Sequence, residues 1–243
     1  MQTEDITVSI ILPSLIPDRH YMRCLSCIRA ALSGRASYEI ICVVANRDAF
    51  AGFESEDMTI IQEGGSGIYN AMNLGLTVSS GSYVYFIGQD DILLPASAEA
   101  LIEGQKHNAD LILADVFWGR HSVFRNYPGR WHLIWRNWCH QGLFYHRLRF
   151  LEIVGEFPVR FTAQADHYAN IVFTRRQSLT TYSYPGCIAW YSSGGFSSRH
   201  PDSVFRREFP RLIYDNFGLV SFIVVTMRRA LLSFARSIKK ALG

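Results

Sequence analysis

Apolar positions recur along this chain at two alternating spacings, and the alternation predicts its elements. Ile6 to Leu12 is a nearly continuous apolar run, the pattern of a buried strand. Between Tyr21 and Leu32, Leu25, Ile28 and Leu32 return at helical spacing. Tyr38 to Val44 and Thr59 to Gln62 are again short β-rich runs. Ile68, Met72 and Leu76 then mark a second helix, which Ser79, Ser80 and Gly81 break. Tyr83 to Ile87 follows as a strand, Ala96 to His107 as a helix and Leu111 to Phe117 as another apolar strand. This β-α-β order predicts an α/β fold, a mostly parallel sheet with helices on both faces. No internal repeat or low-complexity segment interrupts it.

Asp90 and Asp91 stand at the end of the Tyr83 to Ile87 strand, where open α/β sheets hold their ligands. Adjacent carboxylates repel each other and attract a cation. Hard oxygen ligands suit Mg2+ or Mn2+, above all when a ligand's phosphates complete the shell. The same pair could instead cap the helix that begins near Pro95. The first strand-to-helix turn, Pro13 to His20, has no glycine, which argues against a dinucleotide fingerprint. Gly64-Gly65-Ser66-Gly67 lacks the Lys-Ser/Thr of a P-loop and reads as a turn.

Composition adds little until charge is mapped. The 243 residues are enough for one α/β domain with a short appendage. Cys24, Cys27, Cys42, Cys139 and Cys187 form no disulfide framework, and reduced thiols in the cytoplasm are the simple reading. Cys24-x-x-Cys27 falls within a helix and has no second ligand pair. The acidic start enters a strand directly, without the pattern of a signal peptide. From residue 205 onward eight basic residues face Glu208 and Asp215, so this tail is +6 and the first 204 residues are −3. Within it, Phe217 to Met227 is almost wholly apolar, yet shorter than the about 20 residues a membrane span needs. Leu231, Phe234, Ala235, Ile238 and Leu242 share one helical face, with Arg229, Arg236 and Lys240 opposite. A basic amphipathic helix of this kind suits an anionic membrane surface. Packing of its apolar face on the domain is the other reading.

Phe117 to Cys139 interleaves Trp118, Trp131, Trp135 and Trp138 with Arg120, Arg125, Arg130 and Arg136. Such a surface could hold sugar rings and a lipid-linked diphosphate, or be an aromatic side of the core with arginines reaching outward. The acidic body makes nucleic acid a poor partner.

Together these segments carry a resemblance. Gly67-Ile68-Tyr69-Asn70-Ala71-Met72-Asn73 with Gly75, followed by Gln89-Asp90-Asp91, resembles the nucleotide-binding half of small bacterial family 2 glycosyltransferases of the GT-A fold. Val8 to Pro13, Glu39 to Val44, His140-Gln141-Gly142, Ala165-Asp166-His167-Tyr168 and Gly194-Gly195-Phe196-Ser197 match in order, over about residues 6 to 198. The resemblance implies a GT-A domain over 1–204, with a nucleotide-sugar half to about 116 and an acceptor half from about 117. The basic tail covers 205–243. It implies that Asp91, supported by Asp90, binds Mg2+ or Mn2+. Pro13, Ser14, Asn46, Gly67, Tyr69, Asn70, Asn73 and Gln89 would join that pair around a nucleotide-sugar donor. His140, Gln141 and Trp138 would support the active site, and a loop with Gly194, Gly195 and Ser197 would close over it.

Glycosyl transfer needs a base, because neutral alcohols are poor nucleophiles. Asp166 stands where relatives keep that carboxylate, although its place before a helix also suits an N-cap. An inverting single displacement is implied. Its acceptor would be a lipid-linked glycan for surface polysaccharide, at the inner membrane face. Departures concern the donor: Asn46 replaces an expected Asp near the end of the second strand, and Asn70 replaces the Asp of the helical motif. The nucleobase therefore stays open. His200 reads as a metal contact or a surface histidine. A catalytically silent nucleotide-sugar binder that scaffolds an assembly complex is the alternative, and a nucleotidyltransferase lacks its glycine- and lysine-rich loop near Pro13.

Overall fold

The computed structural model of the protein describes residues 7–65, 67–175, 178–192 and 202–242. Four strands form the parallel half of the sheet: β1 (Val8–Ser14), β2 (Tyr38–Val44), β3 (Met58–Gln62) and β4 (Tyr83–Phe86). Their order is β3-β2-β1-β4, so the chain winds one way from β1 and then crosses back to lie on β1's other side. That reversal opens a crevice at the carboxyl ends of β1 and β4. Helices α1 (Arg19–Leu32) and α3 (Ala96–Lys106) cover one face, and α2 (Ile68–Val78) the other. Gly75 lets α2 lie directly on β1, since a Cβ there would come within 2.5 Å of Ile11. The two core clusters on these faces meet at strands buried on both sides, which explains their unbroken apolar runs.

The second half of the sheet is mixed. β6 (Leu111–Trp118) joins β4 through β8 (Leu143–His146), which runs antiparallel to both. β9 (Thr181–Tyr191) continues parallel to β6, and β5 (Ile92–Leu93) and β7 (Ser122–Phe124) add short antiparallel edges. The inserted β8 brings His140 to Gly142, a 3-10 turn just before it, beside the end of β4. Gly142 cannot carry a side chain: a Cβ would sit 2.3 Å from Ala114 O and 2.4 Å from Asn126 Nδ2. Three further helices complete the body: α4 (Arg130–Trp135), α5 (Arg147–Ile153) and α6 (Ala165–Phe173). All five cysteines are free.

The tail forms α7 (Ser203–Leu242), broken at Gly218, whose φ of 83° only glycine adopts readily. Phe205, Ile213, Phe217, Ser221 and Val225 pack on the domain. Leu219, Val220, Met227, Leu231 and Phe234 do not; each is at least 59% exposed. Packing on the domain thus accounts for the first part of the tail and, beyond Gly218, for Ser221 and Val225, and leaves these five apolar side chains uncovered. Phe217 to Met227 is shorter than a span, and the helix that contains it extends well beyond both ends. Ser203–Ala235 is long and apolar enough to cross a membrane by length and composition.

Candidate active site

At the crevice between β1 and β4 lie four of the residues expected at the donor: Ser14, Gln89, Asp90 and Asp91. Ser14 Oγ and Leu15 N both donate to Gln89 Oε1, at 2.7 and 2.9 Å, tying the end of β1 to the turn after β4. In that turn Asp91 is only 2% exposed. Gln141 Nε2 donates to its Oδ2 at 2.6 Å, and the Ser192 N–H donates to its Oδ1 at 2.9 Å. The pair is no helix cap: α3 begins after Pro95 without a side-chain cap. Burial, and then the charge of Asp90, push the Asp91 carboxyl up to about 6 against the lowering effect of Ser192, His140 and Gln141.

Gly88 shows how the two carboxylates converge. A Cβ built there would lie 3.1 Å from Asp90 Oδ1 and 3.1 Å from Asp91 Oδ2, so both oxygens look into the space glycine leaves open. Among the described residues no group of three His, Cys, Asp or Glu side chains could hold a metal unaided. Two converging carboxylates, one of them buried, nevertheless fit a hard cation whose shell a diphosphate and water complete.

Asp166 stands apart from this pair and is held differently. Gln164 occupies the N-cap of α6 without a side-chain bond, and Asp166 lies in the first turn. Its carboxylate accepts from Tyr69 Oη at 3.0 Å and from Asn137 Nδ2 at 2.7 Å, so the capping role is corrected. His140 Nδ1 lies 3.7 Å from Oδ2, an ion-pair distance. Burial alone would raise the Asp166 pKa; His140 and then the Tyr69 hydroxyl outweigh it and hold the group below the usual carboxylate range. Behind Asn137 the chain of bonds continues. Asn170 Nδ2 donates to Asn137 Oδ1 at 2.8 Å, and Tyr145 Oη donates to Asn170 Oδ1 at 2.5 Å. The side chain of Asp166 keeps 16% of its surface open. An ionised, oriented and reachable carboxylate can take a proton.

The His140-Gln141 dipeptide joins the two centres. Gln141 holds Asp91 while His140 faces Asp166, and the turn itself is anchored by Tyr85 Oη, which donates to Gln141 O at 2.6 Å. Asn126 fixes the turn from the other side, donating to Ala114 O and Cys139 O and accepting from Cys139 N.

Several expected residues take other places. Tyr69 holds the base. Asn73 clamps the backbone of Phe157 with both ends of its carboxamide, at 2.8 Å each, and supports the site from behind. Trp138 is 2% exposed and bonds Tyr127 O, a core side chain rather than an acceptor platform. Pro13 pairs with Val43 inside the sheet, one residue from the crevice. Asn46 lies just past β2, where its side chain accepts from Asp48 N. Gly67 opens α2 with φ of 99°, and Asn70 lies over the Gly65 turn. Gly194, Gly195, Ser197 and His200 lie outside the described residues. Asn126, Asn137 and Asn170 were not foreseen; an isolated Asn carries no signal until distant strands and helices bring its partners together.

The family model for glycosyl transferase family 2 matches residues 25–178. A protein of Mycobacterium tuberculosis named PGL/p-HBAD biosynthesis glycosyltransferase is 28% identical over 243 residues, covering 91% of this chain and 90% of its own length. A protein of the same name from Mycobacterium bovis matches equally. Among solved structures, S. aureus TarS 1–349 in complex with UDP-GlcNAc superposes with a TM-score of 0.67 at 12% identity over 86% of this chain. The chain spans 64% of that TarS fragment. Mannosyltransferase PcManGT from Pyrobaculum calidifontis, with GDP-Man and Mn2+, gives 0.58 at 14% identity over 99% of this chain and 82% of its own. These structures share the GT-A architecture. The chain belongs to glycosyl transferase family 2 and is a glycosyltransferase.

Proposed function

We propose that the protein transfers a sugar, with inversion, from a nucleotide-sugar donor to a hydroxyl of a lipid-linked glycan acceptor, in a reaction that depends on Mg2+ or Mn2+. The observation that carries this reading is the His140-Gln141 bridge, which sets a paired carboxylate site and an ionised base on opposite sides of one turn. Asp90 and Asp91 would hold the cation, which when bound neutralises charge on the leaving diphosphate. Asp166 takes the acceptor hydroxyl's proton as the new anomeric bond forms and the bond to the diphosphate oxygen breaks. Tyr69 and Asn137 fix its carboxylate so that little reorganisation is needed at that moment. Ser14, Gln89 and Asn46 line the donor side. That the structural neighbours were captured with UDP-GlcNAc and GDP-Man supports a nucleotide-sugar donor.

The uncovered apolar face of α7, beside Arg228 and Arg229, supports a peripheral place on the cytoplasmic face of the inner membrane. Two adjacent arginines within the apolar stretch cost about 2.5–3.5 kcal/mol each at a bilayer centre, which favours lying in the interface over crossing. The relatives named for PGL/p-HBAD biosynthesis support a role in glycoconjugate biosynthesis.

A silent donor-binding scaffold would retain metal-dependent binding without turnover, so one pair of assays separates the readings. Asp91→Asn, measured by thermal shift with nucleoside diphosphates and Mn2+, should lose metal-dependent binding by at least about tenfold. Unchanged activity in chelator, or in that variant, would remove the metal site.

A further inference from the structure

Beside the base, α7 and the segment following α4 line an open cavity of about 570 Å3. Four arginines belong to its wall: Arg136 from the body, whose guanidinium also lies over the Phe124 ring, and Arg206, Arg228 and Arg229 from α7. Among the described residues none of the four lies within ion-pair distance of a carboxylate. The one acid in the wall, Asp202, is turned to the backbone and accepts from Phe205 N at 2.9 Å and Ala163 N at 3.2 Å. His167, also in the wall, is held neutral by burial. Like charges facing one space repel, and an anion placed among them relieves that repulsion.

The cavity lining combines two chemistries. Asn137 lines it and donates to Asp166, so the cavity adjoins the base. Val225 and Leu232 also line it, and Leu232 is 45% exposed on a helix that leaves Leu219, Val220, Met227, Leu231 and Phe234 uncovered. Arg228, in the same wall, lies over the Trp135 ring, 4.9 Å from its centre. Arginine forks match phosphate oxygens in pairs, and the volume lies within the ordinary range for a small-molecule site.

Resting on the transferase reading above, we propose that this cavity holds the phosphate or diphosphate of an amphiphilic acceptor. The hydrocarbon chain leaves along the apolar face of α7, and the sugar hydroxyl is delivered toward Asp166. The tail is thereby part of the acceptor site as well as an anchor.

The test is calorimetric titration of the full chain with farnesyl diphosphate, a soluble amphiphile carrying the proposed headgroup. Inorganic pyrophosphate and farnesol serve as its two halves. Farnesyl diphosphate should bind more tightly than either half. Arg206→Gln and Arg229→Gln, both exposed and free of ion pairs among the described residues, should each weaken it by about tenfold, the scale of one hydrogen bond to a charged group. Equal binding in both variants overturns the proposal. So does complete loss of the farnesyl diphosphate binding heat when the chain is first saturated with phosphatidylglycerol vesicles, since the site would then read a membrane headgroup. Nucleoside diphosphate binding with Mn2+, measured on the same samples, reports the transferase reading separately. Its failure in the wild type would sink that reading while the cavity's own affinity is still scored.

Discussion

Acid should loosen this protein where α7 docks on α6, through His167. The ring is 6% exposed, packs in a triangle with Phe205 and Phe209 at centroid distances of 5.2 and 5.4 Å, and pairs through Nε2 with Leu133 O at 2.8 Å. Burial pushes its pKa down to about 4; the Leu133 carbonyl and Asp166 oppose that, and His132 adds to it. An unfolded chain takes a proton near 6.5, so the folded state binds fewer protons between those values. The stability contributed by the neutral ring is complete above about 6.5 and is lost as pH falls, reaching about 3 kcal/mol near pH 4. At about pH 5.5 the loss is about 1.4 kcal/mol, which lowers the melting temperature of a chain this size by about 3–6 °C. His167→Gln keeps a donor for Leu133 and cannot titrate. His132 and His146, also pushed down by burial, contribute to both proteins, so the comparison of slopes isolates His167. Melting curves from about pH 7.5 to about pH 5.5 should fall more steeply for the wild type by that amount. Parallel curves would refute the account of a neutral, desolvated histidine under the tail.

Asn137→Ala removes a charge-assisted bond to Asp166 and should lower kcat by about tenfold with donor KM unchanged; an unaltered kcat would take Asn137 out of the positioning chain. Deleting the chain from Gly218 onward should release the protein from anionic vesicles, and high salt should weaken binding of the intact protein. Because Ser221 and Val225 are the only residues beyond that point buried among those whose burial is described, the truncated protein should stay folded; unfolding, or undiminished sedimentation with vesicles, would contradict the interfacial role.

The parallel half of the sheet was legible because its strands are buried on both faces and each is bounded by polar turns. Asp90 and Asp91 were placed correctly since a position at a strand's end follows from local pattern. The insertion of β8 between β4 and β6 was not legible: four residues of apolar strand carry no information about their partners. The same limit hid the bond from Tyr69 to Asp166, which joins residues 97 apart in sequence. It made Asn73 look like a ligand contact, when its carboxamide satisfies the backbone of a loop 84 residues away. Trp138 was left open between a sugar surface and the core, because an irregular segment does not say which of its tryptophans face inward. The break at Gly218 depends on a positive φ that a single glycine permits but does not announce.

Turnover and donor affinity measured on one folded preparation of Asp166→Asn test the central claim. Asn keeps the size and can still accept from Tyr69 or Asn137, but it takes no proton at neutral pH. The account predicts turnover lowered by about 10²-fold or more, with metal-dependent donor binding and melting temperature nearly unchanged. Turnover near that of the wild type would contradict it, leaving the carboxylate a structural group and the single displacement without its base.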